Sequence, residues 1–67
     1  MLTKDAALAA LLDYCKLNRQ FLKGVKYQFS CMEPDGVIVY LFEIIADKGI
    51  ETLAVFSDDN GINIEDL

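Results

Sequence analysis

From Lys4 to Lys23 the apolar positions recur at steps of three and four, and beyond Gly24 the period shortens to two, interrupted by one near-continuous apolar run over 37–46. The first spacing predicts an amphipathic helix and the second a series of strands. Leu8, Leu11, Leu12, Cys15, Arg19 and Leu22 mark the helix's inward line, and Tyr14, Leu17 and Phe21 widen it. Thr3 stands where an N-cap is wanted, and Asp5 lies in the first turn, where the helix dipole favours a negative charge. Lys23-Gly24 supplies a basic last turn and a terminating glycine. The helix is expected over residues 4–23.

Beyond it, Val25, Tyr27, Phe29 and Cys31 alternate with Lys26, Gln28, Ser30 and Met32, a half-buried strand over 25–32. Glu33-Pro34-Asp35-Gly36 is a tight turn, with proline and glycine where turn geometry favours them. The next strand, 37–46, does not alternate: Val37-Ile38-Val39-Tyr40-Leu41-Phe42-Glu43-Ile44-Ile45-Ala46 is apolar throughout except at Glu43. Such a strand is covered on both faces. Asp47-Lys48-Gly49 turns the chain into a strand over 50–57, and Asn60-Gly61, a strong hairpin signal, turns it into a short strand over 62–65. Short connections make every neighbouring pair antiparallel. The expected fold is therefore α+β: one N-terminal helix packed on one face of a four-stranded antiparallel meander (α-β-β-β-β), forming a single domain over 1–67.

Turn lengths predict the register. A three-residue loop at Pro34-Asp35-Gly36 sets Phe29 opposite Leu41. A three-residue loop at Asp47-Lys48-Gly49 sets Leu41 opposite Val55, and a two-residue loop at Asn60-Gly61 sets Ser57 opposite Ile64. Opposed residues share a face. The helix-covered face then carries Val25, Tyr27, Phe29, Cys31, Val37, Val39, Leu41, Ile45, Leu53, Val55, Ile62 and Ile64. The open face carries Ile38, Tyr40, Phe42, Ile44, Ala54 and Phe56 at its centre, rimmed by Lys26, Gln28, Ser30, Asn63 and Glu65. An apolar centre inside a polar rim has the anatomy of an interface. Sixty-seven residues form a small core, and association is one way to stabilise it. A homodimer through the open face is the expectation.

Charge adds a second candidate. The net charge is −5, which disfavours nucleic acid and anionic membranes. Residues 1–32 hold five cations and two carboxylates, +3, whereas residues 33–67 hold nine carboxylates and one lysine, −8. Asp47, Glu51, Asp58, Asp59, Glu65 and Asp66 form an expected acidic surface for a basic protein partner, in the manner of an inhibitor, an immunity protein or a nucleic-acid mimic.

Catalytic and metal chemistry find little footing. The chain has no histidine, the usual general base near neutral pH, and it has neither a cysteine–histidine cluster for zinc nor a nucleotide-binding motif. Aligning Gly61 with the invariant glycine of a calcium loop puts Phe56 at the first ligand position and Leu67 at the last, so that match fails. Cys15 lies about 12 Å back along the helix and Cys31 about 20 Å along the first strand, an offset too great for a disulfide. Both thiols are expected to be buried and reduced, as in the cytoplasm. No apolar run is long enough to span a bilayer, and the N-terminus lacks the pattern of a signal peptide. The sequence predicts a non-enzymatic interaction or regulatory domain without cofactor or metal.

Overall fold

The computed structural model describes residues 2–18 and 22–67. Its elements are α1 (Lys4–Leu17), β1 (Leu22–Met32), β2 (Ile38–Ala46), β3 (Gly49–Asp58) and β4 (Gly61–Asp66). The strands form one antiparallel sheet in the order β1-β2-β3-β4, with the helix packed on one face. The α+β meander expected from the pattern is the observed architecture.

Thr3 caps α1, its hydroxyl accepting the Ala6 N–H at 3.1 Å, and Asp5 lies in the first turn. The helix ends six residues earlier than expected. Asn18 is its C-cap, with a backbone N–H donating to the Tyr14 carbonyl at 3.0 Å and a side-chain Nδ2 donating to the same oxygen at 2.8 Å. Lys23 and Gly24 belong to β1 instead of ending the helix, because Leu22 pairs with Ala46 and Gly24 with Ile45. Lys23 Nζ stands 3.5 Å from Asp47 Oδ1 in an exposed ion pair. Two members of the expected helical stripe, Arg19 and Phe21, lie outside the described residues.

The inward line of α1 is narrower than the stripe read from the sequence. Ala7, Leu11 and Cys15 are fully buried, Leu8 and Tyr14 partly so, while Leu12 and Leu17 are exposed, Leu17 by 83%. These residues pack on Phe42, Ile44, Leu53 and Val55, with Tyr40, Val25, Leu22 and Ile64 around them. Tyr27 meets Phe42 edge-on, ring centroids 5.6 Å apart, and Lys4 Nζ lies 4.9 Å above the Tyr27 ring. The Tyr40 hydroxyl donates to the Leu2 carbonyl at 3.0 Å, tying the chain's start to the sheet.

The face assignment of β2 is the main correction. Ile38, Tyr40, Phe42 and Ile44, expected on the open side, lie on the helix side, and Phe42 and Ile44 are core. The cause is one residue of loop. Ala46 pairs with Gly49, leaving Asp47-Lys48 as a two-residue connection, and Leu41 consequently opposes Ala54 instead of Val55. A slip of one turns every side chain of the strand over.

In β1 the correction is a bulge. Phe29 opposes Leu41 as expected, but Tyr27 opposes Phe42, so Gln28 is an extra residue. Val25 and Tyr27 therefore face the helix, whereas Phe29 and Cys31 face away. Cys31 is exposed, contrary to expectation, and lies across the sheet from buried Cys15. The β3–β4 pairing slips by two, with Asp58 opposite Gly61 and Asp59-Asn60 at the turn, so faces are kept and Val55 opposes Ile64.

The molecule measures 35 × 20 × 19 Å, and a helix of 14 residues is only about 21 Å long. The sheet therefore projects beyond α1 at the end that carries the β1–β2 and β3–β4 turns. Met32, 69% exposed, and Ile62 lie at this projecting end.

Candidate functional site

With β2 turned over, the face opposite the helix carries Val37, Val39, Leu41 and Ile45 from β2 and its approach, Phe29 and Cys31 from β1, and Ala54 and Phe56 from β3. Among the described residues no element lies over it. Two of the six residues expected at the centre of the open face, Ala54 and Phe56, are there. Ile38, Tyr40, Phe42 and Ile44 belong to the covered side.

This face is hollowed into a trough of about 500 Å3. Leu41 and Ala54, 8% and 4% exposed, form its floor, and Val37, Val39 and Phe56 are half-exposed around them. Cys31, Leu67 and four carboxylate residues, Glu33, Asp35, Asp58 and Glu65, complete the lining, and among the described residues no lysine or arginine takes part in it. Their convergence follows from the meander. The β1–β2 and β3–β4 turns emerge at the same end of the sheet, so Glu33 and Asp35 from one come near Asp58 from the other. Glu65 joins them from β4, opposite Ala54.

The turns hold two of these side chains. Asp35 Oδ1 accepts the Val37 N–H at 3.1 Å, and Asp58 Oδ1 accepts the Asn60 N–H at 2.8 Å. Such side-chain turns order the loop and leave the second carboxylate oxygen available to a cation. Backbone bonds close the first turn, Glu33 N–H to the Val37 carbonyl at 2.8 Å and Gly36 N–H to the Glu33 carbonyl at 2.9 Å.

The acidic surface expected from the sequence is split. Asp58 and Glu65 line the trough and Asp59 lies in the turn beside it. Asp66, opposite Leu53, falls on the helix side. Asp47 pairs with Lys23 at the far end, and Glu51 stands on the helix side near Cys15. Burial there, with the Glu51 carboxylate adding to it, pushes the Cys15 thiol up from its ordinary value. Glu33 and Asp35 were missed as site residues. The signal was present, because a meander of three hairpins puts its first and third turns together.

Among the described residues no helix is long and apolar enough to cross a membrane. Compared with protein-family models, curated proteins and solved structures, the chain matches none.

Proposed function

We propose that the protein is a non-enzymatic protein–protein interaction or regulatory domain that docks its partner on the open face of the sheet. The observation carrying this reading is the apolar trough itself: Val37, Val39, Leu41, Ala54 and Phe56 are gathered on the face that the helix does not cover. Apolar ground of this kind, edged by charge, is the usual anatomy of a binding surface. Two unbridged thiols on opposite faces of the sheet fit a reducing compartment such as the cytoplasm.

Two occupants have support. A chain of 67 residues forms a small core that association would stabilise, which favours a second copy. The carboxylates on the rim favour a basic protein. Substitution tests the surface independently of its occupant. Val39→Lys is expected to keep a native circular-dichroism spectrum and a cooperative melt, whereas Phe42→Lys is expected to unfold the chain. Loss of folded structure in Val39→Lys would make the trough part of the core and end the reading. Light scattering across a concentration series then decides the homodimer, since a monomer at high micromolar concentration removes it.

A further inference from the structure

We infer that the trough takes a cationic segment with an apolar face, from another protein, in preference to a second copy of this chain. The inference rests on the open sheet face being the docking surface and concerns what docks there. Its first ground is charge. Glu33, Asp35, Asp58 and Glu65 all line the hollow, and among the described residues no cation joins them in its lining. The whole chain is at −5, so a second copy brings carboxylates to carboxylates, whereas lysines or arginines flanking an apolar stripe meet them with opposite charge.

The second ground is shape. The open face is concave, and two concave faces laid together leave their hollows facing each other. A volume of about 500 Å3 is filled by a convex occupant, such as the apolar side chains of an amphipathic helix lying along the groove. The third is chemical order within the site. The apolar floor, Leu41 and Ala54, lies between the β1–β2 turn acids and Glu65, so a segment seated on it has its basic flanks within reach of carboxylates on two sides.

Calorimetric titration with three synthetic peptides tests this: a helical leucine–lysine peptide, its leucine–glutamate twin, and a serine–lysine peptide of equal charge without an apolar face. The leucine–lysine peptide is expected to bind one-to-one, and the other two are expected not to bind. Binding should weaken steeply between low salt and about 0.5 M salt. Glu65→Lys is expected to weaken it by about tenfold, while Asp13→Lys, with the same change in net charge on the outer side of α1, leaves it within about twofold. Equal loss in the two variants, or equal binding of all three peptides, overturns the inference. If none binds and light scattering shows a dimer that Val39→Lys dissociates, the docking face stands and the cationic occupant falls. An unfolded Val39→Lys removes the docking face itself.

Discussion

Leu41 and Phe42 are neighbours in the chain and serve opposite sides of the sheet. Phe42 is enclosed by the helix residues and by Tyr27, so Phe42→Ala removes a ring from a closed core, at a cost of about 3–5 kcal/mol. Val39, half-exposed in the trough, surrenders less, and Val39→Ala is expected to cost under about 1 kcal/mol. Urea unfolding of the two variants measures the contrast. Cysteine gives a second comparison at this scale. Cys31 is exposed and Cys15 buried, so a thiol reagent should modify Cys31 at once and Cys15 only on unfolding. Burial raises the Cys15 pKa above its unfolded value. The folded state therefore holds the proton more tightly, and this contribution is fully present below the ordinary thiol range. It is lost as pH rises from the ordinary thiol range through the folded value. Stability should decline across that alkaline window, and Cys15→Ala should flatten the decline at the cost of a small cavity.

Among the elements, turns decide more than strands do. Gly49 and Gly61 adopt φ of +130° and +117°, where a side chain on an L-residue is strained whatever room it has. A Cβ added at Gly61 meets nothing within 4 Å, yet Gly61→Ala is expected to cost roughly 1–3 kcal/mol on backbone grounds alone, which thermal unfolding would show. These glycines also explain which parts of the fold were legible in the sequence. The helix, the four strands and their meander follow from period and turn chemistry, and all are observed. The faces do not follow, because Asp47-Lys48-Gly49 reads equally as a loop of three or a loop of two with a glycine already paired. Nothing in the alternation of Val25, Tyr27, Phe29 and Cys31 announces the bulge at Gln28. Each error of face is one residue long, and a period of two converts one residue into the wrong side of the sheet. The helix end was misread for another reason: Leu22 suits a helical stripe and a strand edge alike, and its pairing with Ala46 decides between them.

For the whole molecule, the governing fact is a sheet longer than its helix. Hydrogen exchange should register it. Amides in the middle of β2 and β3, around Phe42 and Leu53, are expected to exchange slowest. Those of the projecting end, around Met32, Ile38 and Ile62, should exchange faster, because less apolar packing opposes local opening there. Mass spectrometry of exchanging peptides or resonance-resolved exchange would check the order. Protection strongest at the turn end would contradict it.

The bulge at Gln28 divides β1 into two stretches with separate obligations. Val25 and Tyr27 answer to the core, whereas Phe29 and Cys31 answer to whatever meets the outer surface. Evolution or an engineer can thus vary one stretch without renegotiating the other. A library randomised at Phe29, Cys31, Val39 and Phe56 would explore recognition on a scaffold whose interior stays untouched.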